Sequence, residues 1–143
     1  MDEIKDKLMS LSDDEKLYEL KFEKNYYNVK MMIMSLQSDE LKLQMIDKLH
    51  DDDKEKLIES LQSDNLKLEY LKSMKQDNQS KKEDIAKSIK SDELKIQTLS
   101  LFNDYYRRSI ILTLQSDEKK IEAMKQYVEP YEYIQIIKNL SSV

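Results

Sequence analysis

"SLQSDELKL" spans residues 35–43, and the stretch returns as "SLQSDNLKL" at 60–68, "SIKSDELKI" at 88–96 and "TLQSDEKKI" at 113–121. Taking the serine of each "SD" as a marker gives Ser12, Ser38, Ser63, Ser91 and Ser116, separated by steps of 26, 25, 28 and 25 residues. A period in this range indicates a repeat architecture built from one supersecondary unit.

The residues around each marker read as helix chemistry. Serine is a strong N-cap, because its oxygen accepts one of the orphan amides of the first helical turn. The acid after it (Asp13, Asp39, Asp64, Asp92 and Asp117) suits the positive end of a helix dipole. Four residues after each serine comes a lysine: Lys16, Lys42, Lys67, Lys95 and Lys120. Apolar residues five and eight after it, such as Leu43 and Ile46, predict one apolar helical face. We call this predicted helix A, about ten residues long. A second amphipathic segment, helix B, precedes each marker and ends on an apolar residue: Leu11, Leu36, Leu61, Ile89 and Leu114, with a sixth ending at Leu140. Adjacent apolar pairs such as Met32-Ile33 and Ile110-Ile111 mark its buried face.

Short helices of this kind are marginal alone and must bury one another's stripes. The expected fold class is therefore all-α: a right-handed α-solenoid of about five 25-residue helical-hairpin repeats, with eleven short helices in one domain over residues 1–143. A longer connection in "KQDNQSKK" (75–82) is the expected kink. The alternating pattern resembles the HEAT-like and armadillo-type α-solenoid superfamily, although its unit is shorter. That resemblance implies a curved helical array used for binding.

Composition excludes several other classes. The 143 residues contain no glycine and one proline, which argues against hairpin sheets and phosphate loops. Any left-handed helix cap would then fall to Asn or His. Cysteine is absent, so no disulfide or thiol chemistry is expected. Charged residues make up 37% of the chain and the net charge is −5, the wrong sign for phosphate binding. "MDEIKDKLMS" at the N-terminus does not read as a signal peptide, and no apolar run is long enough to span a membrane. A soluble, intracellular, cytoplasmic protein is expected.

Function should lie where the copies differ. Tyr26-Tyr27 and Tyr105-Tyr106 open two B helices, and Tyr131 and Tyr133 open the last. Arg107-Arg108, the only arginines, come directly after one pair. Tyrosine and arginine are enriched at binding hot spots, so these eight residues form the candidate surface for a protein or peptide partner. The alternative role for the tyrosines is as large amphipathic fillers sealing the turns. The recurring Asp/Lys pair reads as a solvated i,i+3 pair, or as a ladder in which each lysine reaches the neighbouring copy's aspartate. His50, the single histidine, precedes Asp51–Asp53. It reads as a helix-end residue, because no ligand spacing for a metal accompanies it. The "KMMIM" run at 30–34 reads as core filler. Neither a catalytic constellation nor a cofactor is expected. A nucleic-acid reader and a purely structural module are the rival functions. The apolar last segment, "YEYIQIIKNL", predicts self-association through the C-terminal helix.

Overall fold

The computed structural model describes residues 2–74 and 79–128, together with Ile134 and Lys138. Among these residues there are ten α-helices and no strand, against the eleven helices expected. The remaining B helix, apart from Ile134 and Lys138, and Tyr131 and Tyr133 fall outside the described residues, as does half of the expected kink (75–78). The B helices are α1 (Asp2–Met9), α3 (Tyr26–Met34), α5 (Asp51–Glu59), α7 (Gln79–Ser88) and α9 (Asp104–Ile111). The A helices are α2 (Asp13–Leu20), α4 (Asp39–Met45), α6 (Asp64–Ser73), α8 (Asp92–Thr98) and α10 (Asp117–Tyr127). Short 3-10 turns at Ile46–Lys48 and Leu99–Leu101 continue α4 and α8.

Contacts group the chain into two compact units, Met1–Gln62 and Ser63–Val143. In the first, α3 packs against α1, α2 and α4, and α5 packs on the 3-10 turn after α4. In the second, α6 packs on α7 and α8, α7 on α8 and α9, and α9 on α8 and α10. A helix therefore meets both its sequence neighbour and the helix two further on. That arrangement needs a wide apolar arc on α3, α5, α7 and α9, which explains why two consecutive residues are buried there. Met32-Ile33, Leu57-Ile58, Ile85-Ala86 and Ile110-Ile111 are all fully buried. Each large member contributes about 1.5–3 kcal/mol on leaving water. Leu36, Leu61, Ile89 and Leu114 seal the B-to-A junctions from inside.

All five A helices start on the marker serine. The Ser12 side chain accepts from Glu15 N, Ser38 from Leu41 N, Ser63 from Leu66 N, Ser91 from Leu94 N and Ser116 from Lys119 N. Beside each of the first four marker serines, the aspartate acts at longer range. Its carboxylate crosses to the next copy and accepts from the backbone amides of that junction. Asp13 takes Gln37 N at 2.9 Å and Ser38 N at 3.1 Å, and Asp39 takes Gln62 N at 3.0 Å. Asp64 takes Lys90 N at 3.2 Å and Ser91 N at 3.0 Å, while Asp92 takes Gln115 N at 2.9 Å and Ser116 N at 3.0 Å.

The lysines correct the solvated-pair expectation. Lys16, Lys42, Lys67 and Lys95 are only 2–7% exposed, too buried for a solvated pair. Each ammonium donates to the end of the next B helix: Lys16 to Ser35 O at 3.2 Å, Lys42 to Ser60 Oγ at 3.3 Å, Lys67 to Ser88 O at 3.0 Å and Lys95 to Thr113 O at 3.2 Å. The geometric cause is that the lysine lies one turn before the core residue at plus eight, on the same stripe. Its stem packs while its charge meets the negative end of a helix dipole. The branched residue at plus five is displaced to the flank in four copies, where Leu17, Leu43, Ile96 and Ile121 are only half-buried, whereas Leu68 is buried. Lys120, in the last copy, pairs with Asp117 at 3.4 Å.

The same contact removes the need for left-handed caps. No described residue has a positive φ, so the left-handed position that Asn or His would have filled does not occur among them. Ser35, Ser60, Ser88 and Thr113 instead donate their hydroxyls to the carbonyl three residues back, at 3.0, 2.6, 2.6 and 2.6 Å. Together with the lysine they satisfy the carbonyls that a glycine-based turn would otherwise cover. Asn25 and Asn103 serve as N-caps of α3 and α9, accepting from Asn28 N and Tyr106 N.

If the aspartate joins neighbouring copies in this way, Asp92→Ala leaves the Gln115 and Ser116 amides without their acceptor. The expected loss is about 1–3 kcal/mol of stability, read as a lower urea midpoint at unchanged slope. An unchanged midpoint would remove the proposed role.

Candidate functional site

The two residues of each tyrosine pair have different environments. Neighbours on a helix point about 100° apart, so one turns inward and the other outward. Tyr26, the first residue of α3, turns inward and is half-buried. Its hydroxyl donates to Asp53 Oδ2 at 2.7 Å and accepts from His50 N at 2.8 Å. Its ring stacks on the His50 imidazole with centroids 3.6 Å apart and planes within 5°. Lys30 Nζ completes the group, 3.2 Å from Asp53 Oδ1. Burial raises the Tyr26 phenol above its ordinary value, and its bond to Asp53 adds to that shift. The Tyr26 hydroxyl, with help from Lys30, holds the Asp53 carboxyl below its ordinary value. His50 is the N-cap residue of α5 and makes no side-chain cap bond. Its ring is part of a joint between α3 and α5.

Tyr106 is likewise half-buried, in edge contact with Tyr105 at 5.2 Å and tilted against Phe102 at 6.2 Å. Arg107 is committed to neighbours. Its Nε donates to Leu99 O at 2.8 Å, Nη1 meets Asp104 at 3.2 Å, and the guanidinium lies 5.3 Å from the Tyr127 ring centre. It closes the end of the preceding A helix, as the lysines close the B helices.

The outward members remain open. Tyr27 is 57% exposed and Tyr105 is 78% exposed. Arg108 is exposed, and its side chain makes no hydrogen bond or ion pair among the described residues. Both tyrosines border a groove. In the first unit, Tyr27, Lys30, Met31 and Met34 of α3 face Lys5 and Met9 of α1 around about 350 Å³. In the second unit, Tyr105, Arg108, Ser109 and Leu112 line an open groove of about 340 Å³ along α9, together with Asp104, whose carboxylate is paired with Arg107. The "KMMIM" run is accordingly divided: Met32 and Ile33 are core, whereas Met31 and Met34 line the groove.

Sequence reasoning did not identify the Tyr26–Asp53 joint or the hydroxyl at the end of each B helix. The second had a visible signal, because Ser35, Ser60, Ser88 and Thr113 all stand three before the marker serine. It also did not identify Tyr18 of α2 and Phe22 in the turn after it, an exposed edge-to-face pair at 5.3 Å with Lys21 Nζ 5.9 Å from the Tyr18 ring centre. Among the described residues no group of three or more His, Cys, Asp or Glu side chains could hold a metal ion. No helix among them is long and apolar enough to cross a membrane. No protein-family model matches the chain, and neither a curated protein nor a solved structure matches it.

Tyr26→Phe keeps the ring stack and removes both hydroxyl bonds, so a loss of about 1–2 kcal/mol is expected in urea unfolding. For Asp53 the sign comes from its depressed folded value. The stability it contributes is present above the unfolded aspartate value and is lost as the pH falls through the lower folded value. The advantage of the wild type over Asp53→Asn should therefore be full at neutral pH and should shrink below about pH 4. A pH-independent difference would contradict the assignment.

Proposed function

We propose that this chain is a non-enzymatic helical-repeat scaffold that binds a protein or peptide partner on the outer face of its B helices. The observation that carries the reading is the pair of exposed tyrosines, Tyr27 and Tyr105, each set beside an open groove. Large exposed aromatics next to apolar hollows are the usual anchors of protein recognition. The packing of each helix on the next and the next-but-one within a unit, with the same aspartate contact at the junctions before Ser38, Ser63, Ser91 and Ser116, supports a right-handed α-solenoid of the HEAT-like and armadillo kind. Such arrays act as adaptors. We place the work in the cytoplasm. Of the eight candidate residues, the burden of binding falls on Tyr27, Tyr105 and Arg108. Tyr26, Tyr106 and Arg107 are engaged by the fold.

A photo-crosslinking amino acid placed at Tyr27 or at Tyr105 in cells should trap a defined partner. The same probe at Ser100, exposed on the turn after α8, should not. Equal trapping at all three positions, or none, would overturn this reading.

A further inference from the structure

The two grooves share one register. Tyr27 and Tyr105 both stand eleven residues before their marker serines, Lys30 and Arg108 both stand eight before, and Met34 and Leu112 both stand four before. This spacing, i, i+3 and i+7, lies along one helix face. The copies between them differ in chemistry at the same three places. One has Asp52, Glu55 and Glu59, and the other has Ser80, Glu83 and Lys87. A tyrosine, a cation and a flexible apolar residue thus recur together twice, once in each compact unit.

We propose that these are two equivalent docking grooves, each accepting an acidic peptide segment that carries one apolar anchor side chain. The inference rests on the function proposed above and gives the partner its chemistry. Met31 and Met34 in the first groove, and Leu112 in the second, supply an apolar floor. Thioether side chains adapt to varied anchors. Tyr27 and Tyr105 each supply a stiff wall with a polar tip. The charge at the rim selects the ligand. Arg108 has no partner among the described residues and can hold a carboxylate by two parallel bonds. In the first groove Lys30 is already engaged by Asp53, so the cation open to a ligand is Lys5, which makes no ion pair or side-chain hydrogen bond among the described residues. These cations sit on a chain of net charge −5. An acidic segment is therefore attracted at these two places and repelled by Asp52, Glu55 and Glu59 at the corresponding place on α5.

The test uses fluorescein-labelled hexapeptides with a Leu-Phe centre flanked by two glutamates, two alanines or two lysines on each side, with binding to the full chain read by fluorescence anisotropy. The glutamate peptide should bind at two sites and more tightly than the alanine peptide by about tenfold. That preference should fall as salt rises from about 0.05 to about 0.5 M. Arg108→Glu should abolish the second-unit site alone, and Lys5→Glu with Tyr27→Ala the first-unit site alone. All three positions are exposed, and unchanged circular dichroism would show the variants folded. Lysine-flanked peptide binding as well as the acidic one, no binding by any peptide, or binding indifferent to both variants would each overturn the inference. If crosslinks still form at Tyr27 and Tyr105 while the acidic peptide fails, only the partner's chemistry is wrong. If the crosslinks fail too, the binding function falls with it.

Discussion

The organisation of the chain depends on one contact: a carboxylate at the start of an A helix accepting the amides of the next junction. A B-to-A junction this tight leaves backbone amides at the start of the new helix with no intrahelical partner. Serine covers one. The aspartate of the preceding copy covers those of the residue before the serine and, at most junctions, of the serine itself. The buried lysine three residues after that aspartate serves the other side of the same junction, the carbonyl end of the B helix. One A helix therefore caps both helix ends that meet at the next junction, one with each sign of charge. Both contacts act along the helix dipoles and in partial burial, where charge-assisted bonds are stronger than at an exposed surface. Burial pushes the Lys95 ammonium below its ordinary value, and the carboxylates of Asp92 and Asp64 oppose the shift.

The first marker shows how strict this requirement is. At Ser12 the amide is accepted by Glu15 of its own helix at 3.0 Å, in a reciprocal capping box. That bond holds the Glu15 carboxyl below its ordinary value. The other copies have Leu41, Leu66, Leu94 and Lys119 at the same place. Where the previous aspartate serves the junction, the third residue after the serine is released from capping and can pack or stay solvated. Glu15 at this place is thus explained by which acid reaches the amide.

Because the inner faces are so constrained, variation is left to the outer faces of the B helices. There the copies diverge in sign and size, from Tyr27 and Lys30 to Asp52 and Glu55, while the buried pairs beneath them stay apolar. The tyrosine doublets show the two demands in adjacent residues. Tyr26 and Tyr106 tie helices together within their units, and Tyr27 and Tyr105 face solvent beside their grooves.

Much was legible in the sequence because helix periodicity and capping are local. The serine caps, the paired buried residues of each B helix, the apolar seal before each junction and the all-helical class all come from spacing within about ten residues. The destinations of the charged groups were not legible. Whether Lys67 stays in water or runs under the next helix depends on a carbonyl 21 residues away. Whether Tyr26 is filler or joint depends on Asp53, 27 residues away. A helix pattern states which face a residue occupies, and only the packed neighbour decides what that face meets. The sequence by itself therefore determined the helices, their caps and their register. The tertiary structure decided that the acid and the lysine act between copies, and which tyrosine of each pair is left exposed.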